Sequence, residues 1–293
     1  MSARIARAPD RALLRRPAEV ESGEPLLTTL SDYQARYQYI VLSRDASGVL
    51  TVRFHCRGEK FVWGFPQHEE VADCLLQISR DRENKVVIVT GTGDVFLDEF
   101  EPVPDMAAMF KPTFKDFCSH HLAVGHRLIQ NHLDVEVPMI GVVNGPAGIH
   151  AELAVLCDIV LCADDAYFSD TAHFPNGITP GDGVHIVWPE LLGVNRGRYF
   201  LLTGERIYAD EAKRLGIVAE VMPRAKLEAR AKALAAELAR HDGIMLRHTR
   251  AVLVQKLREE AARLLPLGLH ASYGSAMAAA QLAIGETTGT KPK

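Results

Sequence analysis

No apolar run in the sequence approaches the roughly 20 residues that a membrane-spanning helix needs, so no membrane partner is expected. Excess basic charge is missing too: 33 lysines and arginines against 37 aspartates and glutamates leave a net charge of −4. Nucleic-acid binders usually carry a basic stripe, so nucleic acid is excluded as a partner. Cysteine is sparse. Cys56, Cys74, Cys118, Cys157 and Cys162 are odd in number and form no Cys-x-x-Cys pair, which argues against a disulfide framework and for a reducing cytoplasm. No apolar stretch follows the arginines at positions 4, 7, 11, 15 and 16, so no secretory leader is expected. What the 293 residues do contain is 47% hydrophobic and 24% charged side chains, an ordinary globular composition with a sizeable core.

Strand and helix signals alternate along the chain. "YIVLSRD" and "GVLTVRFHC" flank a "DASG" turn and read as a hairpin. Val71, Cys74, Leu75 and Ile78 recur at helical spacing, and Phe114, Phe117, Val124 and Leu128 mark a second, longer helix. "KVVIVTG", "VPMIGVVNG" and "DIVLCAD" are short, continuously apolar strands, the pattern of a buried parallel sheet in an α/β protein. From residue 184 onward the pattern turns helical. Leu227, Ala231, Leu234 and Leu238 predict one amphipathic helix; Leu253, Leu257, Ala261 and Leu264 predict another that ends before Pro266. The division expected is a disordered or strap-like arm over 1–30, an α/β core over 31–223, a helical region over 224–285 and a flexible tail over 286–293.

The most informative stretch is "NGPAGIHAELAVLCDIV", Asn144 to Val160. A strand ends at Val143, a tight turn follows, and a helix is predicted to begin near Ile149. Free backbone amides at such a helix start would stabilise an anion or a developing oxyanion. Pattern alone leaves open a plain strand-to-helix turn. Twelve histidines are present, and taken singly most must be structural. Cys118-Ser119-His120-His121 could suggest a metal, but adjacent histidines on a helix point apart and no matching pair lies nearby, so no metal is expected.

Asn144-Gly145-Pro146-Ala147-Gly148, then Glu152-Leu153-Ala154, then Cys157-Asp158-Ile159 resembles the signature of the crotonase (enoyl-CoA hydratase/isomerase) superfamily. The resemblance continues through "FPNGITPGDG" and "LTGERIYADEAKRLGIVAEVMP" and covers roughly residues 38–285. It implies an α/β crotonase-type spiral of ββα turns with a helical C-terminal oligomerisation region, built into a homotrimer or a dimer of trimers. The departures are informative. The hydratases of this family hold one water between two glutamates; Glu152 stands at the first position and His173 at the second. The CoA-binding loop of the family reads Phe-x-Ala-Gly-Ala-Asp, whereas here it reads Phe96-Leu97-Asp98-Glu99-Phe100-Glu101. Three acids and no glycine suit a polyphosphate nucleotide poorly. Ile149-His150 replaces two glycines.

This altered set resembles the branch of the superfamily that cleaves carbon–carbon bonds of β-diketones, the 6-oxocamphor hydrolase type. "HFPNGITPGDGVHIVWPELLGVNRGRYFLLTG", "DRENKVVIVTGTG" and "FVWGF" carry that likeness. It implies that His173 and Asp182 activate the attacking water, that His150 contacts the carbonyl oxygen, and that Glu152 belongs to the site. Trp63, Phe65, His68 and Ile149 would line an apolar cleft. Ser272 stands where an acidic residue is expected. A small, apolar, cyclic diketone is the expected substrate; it supplies its own electron sink, so no cofactor is expected. The competing readings are an enoyl-CoA hydratase or isomerase and a silent or RNA-binding scaffold.

Overall fold

A computed structural model describes residues 28–101 and 114–288. A single helical turn, α1 (Leu30–Tyr33), precedes the hairpin of β1 (Ile40–Arg44) and β2 (Val49–Phe54). Helix α2 (Phe65–Arg80), β3 (Val86–Thr90), α3 (Phe114–Asp134) and β4 (Met139–Val143) follow, then the short α4 (Glu152–Val155) and β5 (Ile159–Ala163). Strand β6 (Tyr167–Phe168) leads into α5 (Val184–Leu192), α6 (Val194–Thr203), β7 (Ile207–Tyr208), α7 (Ala209–Arg214) and β8 (Glu220–Met222). Helices α8 (Arg224–Leu238), α9 (Gly243–Leu253) and α10 (Gln255–Thr288) complete the chain.

The main sheet has the order β1-β2-β3-β4-β5-β8. Only the β1–β2 pair is antiparallel. Every residue of β3 and β4 is buried, because both faces are covered, which is why these strands read as unbroken apolar runs. One cover is α8, which turns Leu227, Ala231 and Ala235 inward. Beyond the carboxyl ends of β3 and β4 lies a second, thin layer. There Leu97 bridges Ala147, Ala147 bridges Phe168, and β6 pairs with β7. Asn144 ties the layers together: its amide donates to the carbonyls of Gly93 and Val95 at 3.0 and 2.9 Å, while its oxygen accepts from Gly91 N at 3.1 Å.

The expected core and helical C-terminal part are present, with three differences. The region after residue 184 also contains β7 and β8, and β8 extends the main sheet beside β5; three residues give too short a period to be read. The predicted helix through Leu253 and Leu264 is two helices, parted at Val254. The second runs through Pro266 rather than ending before it. Proline removes one amide and crowds the preceding turn, but Leu265 and Leu269 on either side are buried against the core, and tertiary packing overrides the local penalty. The predicted arm lies, for residues 1–27, outside the described residues, as does the tail from 289.

A buried arginine secures the C-terminal helices. Arg250 is 1% exposed. Its Nε donates to Asp158 Oδ2 at 2.8 Å, and its Nη1 reaches the carbonyls of Leu133 and Val135 at the end of α3. Those carbonyls have no partner within the helix and carry its negative end, so a cation satisfies both needs. Arg250→Met should keep the volume and leave Asp158 without its cation, with only the Met139 amide, among the described residues, still donating to it. Removing one member of a buried pair costs about 3–5 kcal/mol, so thermal unfolding should show Tm lowered by on the order of 10 °C; an unchanged Tm would make the cluster dispensable.

Candidate active site

The site begins at the turn after β4. Ala147 N donates to Tyr167 O at 2.8 Å, and the amides of Gly148 and Ile149 donate to Leu97 O at 3.0 and 3.3 Å. The helix starts at Glu152, not near Ile149, and is a single turn. The amides expected to face a ligand from Gly148 and Ile149 are therefore engaged with the neighbouring loop, and the chemistry rests on side chains. His150 has φ of +44°, a left-handed conformation uncommon outside glycine and more accessible to histidine than to most residues. This explains how a histidine occupies a family glycine position. It aims the ring back at Glu152, whose Oε1 accepts from His150 Nδ1 at 2.7 Å. Beneath this turn, the buried His132 donates from Nε2 to Leu153 O at 3.1 Å.

Two loops bring the remaining charged groups. After β6, Ser169 N donates to Ala147 O at 3.1 Å and Thr171 N to Gly148 O at 3.0 Å, which fixes the segment holding Asp170 and His173. His173 Nδ1 lies 2.7 Å from Asp170 Oδ1, and its Nε2 lies 3.1 Å from Asp182 Oδ2. Asp182 is anchored next door. A β-carbon on Gly181 would collide with the carbonyl of Gly268 in α10, and one on Gly268 with the carbonyl of Gly181. Only two glycines permit that approach. Asp182 Oδ2 also lies 3.8 Å from His150 Nδ1, so the two imidazoles share this carboxylate.

Trp63 forms an apolar wall. Its ring centroid is 4.1 Å from that of His150 and 5.2 Å from that of His68. The tryptophan is held by the acidic loop: Trp63 N donates to Glu99 O at 2.8 Å and Glu101 N to Trp63 O at 2.7 Å. The three acids of that loop do not face outward together. Asp98 accepts from Tyr167 Oη at 2.7 and 2.8 Å, Glu99 pairs with Lys60 at 2.5 Å, and Glu101 lies 3.5 Å from Gln67 Nε2. Phe65, half-buried, opens α2, and Ile149 is buried in the core; His150, Glu152, His173, Asp182, Trp63 and His68 converge.

Burial alone would discharge both histidines, and the carboxylates overrule it. For His173, the Asp182 charge and the hydrogen bonds of Asp170 and Asp182 hold the ring well above its ordinary 6.5. For His150, the Glu152 charge and hydrogen bond, then Asp182, also raise it. A charged His150 would in addition meet the face of Trp63. Asp182 is driven down against burial by His173, with help from His150 and His68. Glu152, fully buried and repelled by Asp182, moves upward.

The resemblance implies Asp182 as the partner of His173 and does not point to Asp170, which the structure sets against Nδ1. The structure places Asp182 at the opposite ring nitrogen. A carboxylate three residues upstream in "SDTAH" was the available signal. Ser272 is buried, and its carbonyl accepts from Ser275 Oγ, which in turn accepts from Thr179 N at 2.7 Å; α10 thus touches the His173–Asp182 loop without an acid there. Among the described residues, His150, Glu152 and Asp182 offer three donor atoms within 4.8 Å of one another. A cation there would displace the proton between His150 and Glu152 and sit beside a charged His173, a poor fit.

Residues 46–276 match the model of the enoyl-CoA hydratase/isomerase family. The chain belongs to that family, and its fold is the α/β crotonase fold with a mixed sheet and C-terminal helices. Among solved structures it resembles ABDH, a β-diketone hydrolase from the cyanobacterium Anabaena sp. PCC 7120 bound to (S)-3-oxocyclohexyl acetic acid. The identity is 38%, with 86% of this chain and 98% of that chain covered and a TM-score of 0.80. It is also 31% identical to the probable enoyl-CoA hydratase EchA12 of Mycobacterium tuberculosis, over 57% of this chain and 60% of that protein's length. Similarity to 4-chlorobenzoyl coenzyme A dehalogenase-2 of Arthrobacter is 29%, over 66% and 69% of the two chains.

The charge network makes stability depend on pH. The His173 contribution is present in full below pH 6.5 and is lost as pH rises through its higher folded value. The Asp182 contribution is present above pH 3.8 and is lost as pH falls through its depressed folded value. Tm should therefore decline on the alkaline side in the wild type, and His173→Asn should flatten that decline. Parallel profiles for the two proteins would show that the pair does not stabilise the fold.

Proposed function

We propose that this protein is a β-diketone hydrolase that cleaves a carbon–carbon bond of a small, apolar, cyclic 1,3-diketone with water. The observation that carries the reading is the convergence of His173 and Asp182, 3.1 Å apart, with His150 against Trp63. In this reading His173 takes a proton from water as the water oxygen bonds to one carbonyl carbon, and the C=O electron pair moves onto oxygen. Collapse breaks the bond between that carbon and the α-carbon. The electron pair becomes an enolate supported by the second carbonyl, and the proton returns to the α-carbon, giving a keto acid. His150 donates a hydrogen bond to the developing oxyanion, a contact stronger in the transition state than in the ground state. The diketone supplies the electron sink.

Two further features support hydrolysis over hydration of a CoA ester. Glu152 is bonded to His150 and, among the described residues, is not paired with a second glutamate. The loop at Phe96–Glu101 offers a phosphate chain only carboxylates already engaged by Tyr167, Lys60 and Gln67. The burial of Cys74, Cys157 and Cys162 as free thiols accords with a cytoplasmic setting. Assembly into a homotrimer or a dimer of trimers forms part of the proposal: Ile244, Val252 and Leu253 on α9 and Leu267 on α10 are all more than half exposed, an apolar display larger than scattered surface residues require. Light scattering should report three or six chains; a monomer at micromolar concentration would refute the assembly.

Hydrolysis of a panel of cyclic 1,3-diketones, run beside crotonyl-CoA, tests the reaction. Diketone cleavage is expected, with no change in crotonyl-CoA. His173→Ala should lower the rate by about 100- to 10,000-fold, the usual loss for a general base. The ring must be neutral to accept a proton, so the rate should climb with pH through a midpoint above 6.5. Turnover of crotonyl-CoA with every diketone inert would replace this reading by the hydratase one.

A further inference from the structure

We infer that Asp170 is the positioning carboxylate of this site: it holds a proton on His173 Nδ1, so that Nε2 alone takes the proton from water and Asp182 stands on the water's side. The inference rests on the hydrolase reading for its kinetic meaning, though its structural content does not need turnover.

Both nitrogens of His173 face carboxylate oxygens, at 2.7 Å for Asp170 and 3.1 Å for Asp182. A carboxylate only accepts, so each nitrogen facing one must carry a proton or meet a repelling lone pair. The two contacts together therefore favour the doubly protonated ring. When the ring loses one proton, the two contacts compete for the one that remains. Asp170 has the shorter contact, in the range of charge-assisted bonds, and is 2% exposed. Its backbone is held on both sides by the Ser169 and Thr171 bonds to Ala147 and Gly148, and Ser169 Oγ donates to Gly204 O at 2.8 Å. Each aspartate keeps one oxygen without a partner among the described residues, but Asp182 is the more open, 17% exposed against 2%, which leaves it able to hold water beside Nε2.

The other titratable groups around the ring are His150 and Glu152 from the turn after β4, His68 from α2, His185 from α5 and Tyr273 from α10, the last beside Gly125 and His68. Of the described groups, the two aspartates are those within hydrogen-bonding distance of His173. The proton cycle then closes on Nε2: water gives a proton to it, the α-carbon of the enolate takes that proton back, and the Nδ1 proton stays on Nδ1, hydrogen-bonded to Asp170, throughout. The arrangement is that of the serine-protease triad with water in place of serine, where the buried aspartate fixes the tautomer.

Nitrogen-15 NMR of the histidine rings tests this in the full-length protein without substrate, with His173→Asn used to assign the signal. In the wild type, the neutral His173 ring should keep its proton on Nδ1. Asp170→Asn should move that proton to Nε2, lower the midpoint, and reduce kcat by roughly 100- to 10,000-fold with KM changed little. A wild-type neutral ring protonated on Nε2 overturns the inference without any variant. So does an Asp170→Asn protein that keeps the wild-type tautomer and midpoint. If every diketone is inert, the hydrolase reading fails separately, because the ring spectrum still decides the role of Asp170.

Discussion

Burying charge in pairs is the constraint from which this site is built. Glu152, Asp170 and most of Asp182 are withdrawn from water together with His150 and His173. An uncompensated ion there would cost several kcal/mol, so each carboxylate must find an imidazole and each imidazole a carboxylate. Three chain segments have to meet for that: the turn after β4, the loop after β6 and the loop before α5. The main sheet carries the first, the thin layer through Leu97, Ala147 and Phe168 carries the second, and α10 supports the third. The architecture is a device for holding opposite charges together away from water.

Departure from the family's glycines follows from the same constraint. A turn that ran straight into a helix would leave backbone amides free to bind an anion. Here the amides of Gly148 and Ile149 are bonded to Leu97, and His150 enters a left-handed conformation to project a ring instead. Side-chain donors can be titrated, whereas amides cannot. The site has exchanged a permanent electrostatic fixture for one whose charge depends on its neighbours.

The sheet was legible in the sequence because β2, β3, β4 and β5 are continuous apolar runs closed by turn residues, and the hairpin because "DASG" separates two β-rich runs. His150, Glu152, His173 and Asp182 were legible through their motif register, not through periodicity. Asp170 was missed because its spacing from His173 in "SDTAH" is a weak signal: an aspartate capping a turn reads the same as one reaching a histidine three residues on, and the path of the loop decides it. The continuation of α10 through Pro266 was missed because the cost of proline is local while the packing of Leu265 and Leu269 that offsets it is not. Nothing in the sequence around Arg250 marks it as buried, since its burial depends on α3 ending beneath it.

The backbone contact between Gly181 and Gly268 gives the C-terminal helix a second meaning. That helix looks like an appendage to the sheet, available for meeting other subunits. Yet its main chain rests directly against the residue preceding Asp182, with no side chain between to absorb a displacement. Sliding or tilting the helix by a fraction of an ångström moves the carboxylate that the two imidazoles share. Any subunit contact that α10 made would thereby be mechanically geared to the groups around Asp182, and a mutation on the outer face of that helix would reach them while leaving every one of their side chains in place.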